Sequence, residues 1–420
     1  MQIINYIVNL GTSVMMPIIF FILALLMGVK IGKAFKAALL VGVGFEGLNL
    51  VINLLLDNLG PAAKAMISNL GVKLNVLDAG WSVAATVGWG SKIMVVCVIA
   101  FILINVVMIV LKLTNTVDID IFNYWIFLCE GALIYAVTNN IVVTVVITGF
   151  LFALMLKVGD WTAETIGEQF DLKGISFPHL TASGHILFAV IVNFIFDRVP
   201  ALKKIKLNPE NLTEKFGVLG EPIAIGFILG AIIGVLAGYD GGAIATLAIK
   251  VSASMILLPR MVSVLLEGLD IIKESVEIKL KKIFPDREFY IGMDVALLVG
   301  DSSIIAVGVL MIPITLLLAI IIPGNNVLPF VDLPSLIFLF TMVAPFCKKN
   351  MARMLVTGIL MMTFILFASS DLASVYSQAA LQSHATFPSG MDVMSALNVG
   401  FTNPIGWIVV KISQVIAHIL

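Results

Sequence analysis

Charge is what this 420-residue sequence has least of: 12% of it is Asp, Glu, Lys or Arg, against 60% hydrophobic residues. A soluble domain of this size has no interior large enough for that much apolar surface, and the mean hydropathy of +1.10 points to lipid as the surrounding medium. The few charges balance to −1 and form no basic face, which excludes a nucleic-acid binder. Cysteine is equally sparse. Cys97, Cys129 and Cys347 each stand alone in an apolar run, so neither a disulfide framework nor a zinc site is available. No metal and no organic cofactor is expected. The absence of a GxxxxGK[ST] loop excludes ATP-driven transport within this chain, and neither an Arg-rich voltage sensor nor a TVGYG filter is present. The opening MQIINYIVNLGTS lacks the basic start and cleavage site of a signal peptide, so the following apolar stretch is expected to stay.

Long apolar blocks are abundant. A span needs roughly 20 apolar residues, and Ile93–Leu111 and Ile304–Ile322 meet that without a charge. Further candidates are Met15–Val29, Ala37–Leu56, Ile119–Val137, Asn140–Leu156, His185–Phe196 with its upstream flank, Val218–Gly238, Ala243–Leu258, Leu333–Phe346 and Met354–Ser370. The expected fold is therefore an all-α polytopic membrane protein with about ten or eleven transmembrane helices. Polar connectors are expected at Asp57–Asp78, Asp160–Phe177, Asp197–Gly217, Pro259–Tyr290 and Asp371–Asn403.

An internal duplication organises these blocks. VAATVGWGS at Val83–Ser91 matches VALLVGDSS at Val295–Ser303, and DIFNYWIF at Asp120–Phe127 matches DLPSLIFL at Asp332–Leu339 at the same spacing. The expected division is a first repeat over 1–157, a connecting segment over 158–217, a second repeat over 218–371 and a C-terminal segment over 372–420, all within one membrane domain. Lys and Arg concentrate in loops that share one side if the N-terminus faces outward. That bias makes the two halves inverted repeats, provided 158–217 crosses the membrane an even number of times or not at all. A single crossing by 177–196 would make them parallel.

VAATVGWGS and VALLVGDSS are too short and glycine-rich to span, and each precedes an uncharged block, as the second arm of a re-entrant hairpin would. Nearby lie Asp78, Trp81, Asp294, Asp301 and Ser302. Carboxylates and hydroxyls beside an aromatic face suit a hydroxyl-rich ligand; caps at the membrane interface are the plainer explanation. Glu46 and Glu130 sit within otherwise uncharged blocks, where a carboxylate implies either function or a packing bond. His179, in FPHLTASGH, opens a small-residue run of the kind that lines polar cavities, although a lone histidine is more often structural.

Several strings together carry a resemblance: DNLGPAAKAM, VDIDIFN, KVGDW, KFGVLGEPIAIGF, AGYDGG, LPRM, EFYIGMDVALLVG and PGNNVLPFVDL. Over nearly the whole chain the sequence resembles the galactitol-specific membrane (IIC) components of the bacterial phosphoenolpyruvate-dependent phosphotransferase system. These are similar in fold to the ascorbate IIC component. The resemblance implies an elevator: a core domain moving against a dimerising scaffold, in a homodimer of the cytoplasmic membrane. It also implies group translocation. A polyol enters from outside, and a cytoplasmic IIB partner, charged by IIA, transfers phosphate from a cysteine to it, so this chain carries no phosphate itself. By position the resemblance makes His179 a sugar ligand and places Asp294 in the family's GMD sequence. Asp301 and Glu46 depart from the family pattern, so the resemblance does not assign the exact polyol.

The expected substrate-binding set is Glu46, Asp78, Trp81, Glu130, His179, Asp294, Asp301 and Ser302. An ion-coupled secondary transporter of a sugar, polyol or organic anion is the alternative, and a channel-like or structural membrane protein the third reading.

Overall fold

The computed structural model describes residues 12–26, 28–70, 74–283, 287–329, 331–383, 385 and 393–419. The opening Met1–Gly11 and Lys73 lie outside them. The first half runs through α1 (Thr12–Leu26), α2 (Ile31–Leu70), β1 (Val76–Asp78), α3 (Trp81–Gly90), α4 (Met94–Val110), β2 (Thr116–Asp118), a 3-10 turn at Ile121–Asn123, α5 (Tyr124–Thr138), α6 (Ile141–Phe170), β3 (Ile175–Ser176), α7 (Leu180–Ser183) and α8 (Ile186–Arg198). After two short helices come α9 (Pro222–Leu236), α10 (Gly241–Ile283), β4 (Tyr290–Gly292), a 3-10 turn at Val295–Leu298, α11 (Ser302–Ile321), β5 (Val327–Leu328), a 3-10 stretch at Pro334–Phe340, α12 (Met351–Asp371), α13 (Ala373–Gln382), β6 (Met394–Ser395), a 3-10 turn at Gly400–Thr402 and α14 (Pro404–Ala417).

Among the described residues seven helices are long and apolar enough to cross a membrane. The α3–α4 pair, bent by 93°, makes an eighth, and α9 and α14 are shorter apolar helices. The chain is thus a polytopic helical membrane protein, with seven or eight such spans among the described residues where ten or eleven were expected, and with two local differences. Leu333–Phe346 is not a helix: it is 3-10 from Pro334 to Phe340 and turns beyond, buried throughout that 3-10 stretch except at Phe338. Two prolines, Pro334 and Pro345, cannot supply the amide hydrogens a continuous helix requires there. Conversely, α2 and α10 run straight through stretches expected to be connectors. With 40 residues α2 is about 60 Å long, twice the thickness of a hydrocarbon core.

The helices that pack most extensively on one another are α1, α2, α9 and α10, which form one bundle. Glycines allow it. A Cβ on Gly44 would stand 2.5 Å from the Leu265 Cβ, and one on Gly230 would stand 2.7 Å from the Ala248 Cα, so both pairs of backbones meet without side chains between them.

Opposite this bundle, six short strands that the sequence does not announce form two sheets. One has the order β5-β1-β6 and the other β2-β4-β3, with every pair parallel. Each sheet takes its central strand from one half of the chain and its flanking strands from the other. The pairing satisfies backbone that neither helix nor water could serve at that depth.

Two aspartates lock the first sheet. Asp78 accepts the Gly80 N–H at 3.0 Å and the Asp332 N–H at 2.8 Å. Asp332 in turn accepts from the backbone N–H groups of Trp81, Leu397 and Asn398, each at 2.9 Å, and from the Ser335 hydroxyl at 3.3 Å. Both carboxylates are fully buried. Removing a buried acceptor strands each donor at about 1–3 kcal/mol. Asp332→Ala is therefore expected to lower stability by about 3 kcal/mol or more, read as a clear drop in melting temperature of the detergent-solubilised protein; unchanged melting would contradict this role.

Candidate functional site

The carboxyl ends of both sheets open onto one cavity of about 340 Å3. From the β5-β1-β6 side come Trp81, Phe338 and Asn398, which follow β1, β5 and β6. From the β2-β4-β3 side come Phe122, Asn123, His179, Thr181, Asp294 and Ala296. Trp125 on α5 completes the aromatic part, its ring 6.1 Å from that of Trp81. The remaining wall is one face of α2: Phe45, Leu48, Asn49, Ile52, Asn53 and Leu56, at helical spacing. The cavity therefore lies between the four-helix bundle and the rest of the protein.

On the β2-β4-β3 side each strand leads into a helix or 3-10 turn whose start is capped by a side chain: Asp120, His179 and Asp294. His179 caps α7, its Nδ1 accepting the Ala182 N–H at 3.2 Å. That bond leaves the hydrogen of a neutral imidazole on Nε2, free to donate. Asp294 caps the turn at Val295 through the Ala296 N–H at 2.9 Å. Just behind, Asp120 accepts from the Asn123 amide Nδ2 at 2.7 Å, and Asn123 Oδ1 accepts from the Trp125 indole at 3.1 Å. Asp118, the last residue of β2, adjoins Asp120.

The result is a polar, hydroxyl-matching surface: four side-chain amides, one imidazole, one carboxylate and two indoles. It contains no lysine or arginine. Asn amides both donate and accept, a carboxylate accepts, and indole faces cover C–H surface, so the set fits an uncharged compound with many hydroxyls.

Of the eight residues expected from sequence, Trp81, His179 and Asp294 line the cavity. The other five stand elsewhere. Asp78 is in the lock beneath Trp81. Asp301 caps α11 through the Ser303 N–H and pairs with Lys349 at 3.0 Å; Ser302, first residue of that helix, goes with it. Glu46 is exposed on α2, one position from the cavity-facing Phe45. Glu130 is fully buried on α5, and neither carboxylate oxygen has a hydrogen-bond partner. Sequence reasoning missed Asn49, Asn53, Asn123, Thr181 and Asn398. Asn49 and Asn53, one helical turn apart in an apolar block, were the signal available.

A polytopic membrane protein with an amide- and indole-lined chamber, free of cationic side chains, between two helical bodies is, as a class, a permease for small hydroxylated solutes. The comparisons make this specific. The family model described as "PTS system sugar-specific permease component" (EIIC-GAT) matches residues 6–390, and the chain belongs to that family. It is 36% identical over 411 residues to the "PTS system galactitol-specific EIIC component" of Escherichia coli (strain K12), covering 98% of this chain and 90% of that protein. A "Putative permease IIC component" of the same organism is 36% identical over 403 residues, covering 96% and 92%.

All three native cysteines are buried. Asn53→Cys is accordingly expected to react with a small hydrophilic maleimide at least about tenfold faster than the native thiols. Labelling no faster than background, followed by mass spectrometry, would show that water does not reach this wall.

Proposed function

We propose that this protein carries a galactitol-type polyol across the bacterial cytoplasmic membrane, where a IIB partner bearing phosphocysteine, recharged by IIA, phosphorylates it. The observation that carries this reading is the cavity: hydroxyl-matching groups from both sheets, no cationic side chain to hold an anion, and 36% identity to a galactitol-specific relative along almost the full chain. Its task is to bind, orient and enclose the polyol. Positioning is a large share of what phosphoryl transfer requires. An ion-coupled carrier, the alternative, draws no support from the cavity lining.

We further read the halves 1–157 and 218–371 as inverted repeats, with 158–217 connecting them and 372–420 completing the β5-β1-β6 sheet. Three observations support it. The sheet orders β5-β1-β6 and β2-β4-β3 exchange when β1, β2 and β3 are replaced by β4, β5 and β6. Both sheets turn their carboxyl ends to one cavity, as an axis in the membrane plane through that cavity would require. Residues 177–196 need not cross: the chain leaves β3, reaches the cavity at His179, and returns along α8 to Asp197, which pairs with Lys348 at 2.9 Å. Loops expected on one side also meet, since Arg287 donates to the Ile109 carbonyl at 2.8 Å and Asn69 to the Ala237 carbonyl at 3.1 Å. In this reading α1, α2, α9 and α10 are the scaffold and the sheets with their helices the moving core, as in an elevator, and a second copy joins at the scaffold. α2 then contributes its asparagines only in the state described.

Two tests apply. Purified protein with phosphorylated IIB should convert galactitol or a close polyol to its phosphate; ion-driven uptake of free polyol without IIB would instead establish the carrier. His179→Ala and Asp294→Asn should each weaken polyol binding by about tenfold or more, whereas Asp301→Asn should change it less than about threefold. Calorimetric titration distinguishes these outcomes, and equal losses for all three would place the ligand elsewhere.

A further inference from the structure

We propose that Asp120 accepts the proton that the polyol hydroxyl loses on phosphorylation, which makes the β2-β4-β3 end of the cavity the reacting end and the β5-β1-β6 end an anchor. The inference rests on the reading that the substrate is phosphorylated while held in this cavity. In the step, the hydroxyl oxygen forms its bond to phosphorus as the S–P bond of the donor phosphocysteine breaks. The electron pair of that bond stays on sulfur as thiolate, and the hydroxyl proton passes to the carboxylate.

The argument begins with two corresponding aspartates. Asp120 and Asp332 stand at the same place in the matched strings DIFNYWIF and DLPSLIFL, each ahead of a 3-10 stretch that follows a sheet strand. Asp332 is saturated by four donors, two of them the backbone N–H groups of Leu397 and Asn398. In the register that aligns Ile175-Ser176 with Met394-Ser395, the corresponding residues are Pro178 and His179. Pro178 has no N–H to give, and the His179 N–H is turned onto the Phe177 carbonyl at 2.9 Å. Asp120 is left with the Asn123 N–H at 3.4 Å and the Asn123 Nδ2. A carboxylate has about four acceptor sites, so one of these two aspartates is engaged all round and the other retains basic lone pairs.

Those lone pairs adjoin the ligand space. Asp120 lines a hollow of about 10 Å3 with Asp118, Asn123, Pro178, His179 and Met293, about the size of one water molecule. Asn123 and His179 belong to both this hollow and the main cavity. A separate observation marks the same end as a ligand position. Thr181 lines the main cavity two residues after His179, is 1% exposed, and its hydroxyl has no hydrogen-bond partner. His179 itself is a donor here, because its Nδ1 is occupied by Ala182.

The titratable groups facing Asp120 are Asp118 on β2, Tyr124 on α5, His179 ahead of α7 and Asp294 ahead of Val295. A base must be unprotonated to act, so transfer should slow as pH falls through the value at which Asp120 takes up a proton.

The test uses the full-length protein in nanodiscs with phosphorylated IIB, measuring polyol affinity by calorimetry and single-turnover transfer across pH. Asp120→Asn is expected to leave polyol affinity within about threefold, to slow transfer about a hundredfold, and to flatten the acid limb of the pH profile. Asp120→Glu, which restores a carboxylate, should recover at least about a tenth of the wild-type rate. The proposal is overturned if Asp120→Asn transfers at the wild-type rate with its acid limb intact, if affinity and rate fall by the same factor, or if the Glu variant is as slow as Asn. Failure of the wild-type protein to bind any polyol is a different result, and overturns the functional reading instead.

Discussion

Backbone that leaves a helix inside a membrane protein must find hydrogen bonds within the protein, and the two three-stranded parallel sheets are how this chain meets that demand. The rest follows from them. Six chain segments end as strands, and residues that follow each of them line a common space. Side chains at those positions become ligand groups because the strands hold their backbones still. Asp78 and Asp332 contribute by joining β1 to the segments after β5 and β6, so that Trp81, Phe338 and Asn398 are fixed relative to one another.

The chamber is polar and no cationic side chain lines it. Its lining amides and indoles favour solutes whose hydroxyls are many and whose net charge is zero. A phosphorylated product adds two negative charges beside Asp294, with no lysine or arginine lining the chamber to offset them. Entry of the free solute and departure of its ester are therefore favoured by the same surface. The α2 wall supplies Asn49 and Asn53 from the other side of the boundary between the four-helix bundle and the sheets, so the grip on the solute depends on how those two bodies sit.

Much of the architecture was legible in the sequence because it is written in apolar length. Uncharged blocks such as Ile304–Ile322 are read directly, and the paired strings VAATVGWGS and VALLVGDSS lie immediately ahead of α4 and at the start of α11. The strands were not legible: at two or three residues each they carry no period, and their partners lie on average far away in sequence. Leu333–Phe346 misleads for a related reason, since hydropathy records burial but not the backbone conformation in which a segment is buried. At the site, carboxylates drew attention because a charge in an apolar block stands out. Asp78 and Asp301 were conspicuous yet are engaged in a lock and an ion pair, while the less conspicuous asparagines line the chamber. Which carboxylate is saturated depends on neighbours such as Pro178, distant in sequence from Asp120, and only the assembled fold brings them together.

The central claim is that one solute is held simultaneously by the carboxyl ends of both sheets. A cryo-EM map of the protein with galactitol bound tests it directly. The account predicts ligand density between Trp81 and Asn398 on one side and His179, Thr181 and Asp294 on the other, with hydroxyls within hydrogen-bonding distance of both sets. Density contacting residues from one sheet only, or lying near Glu46, Glu130 or Asp301 instead, would contradict it.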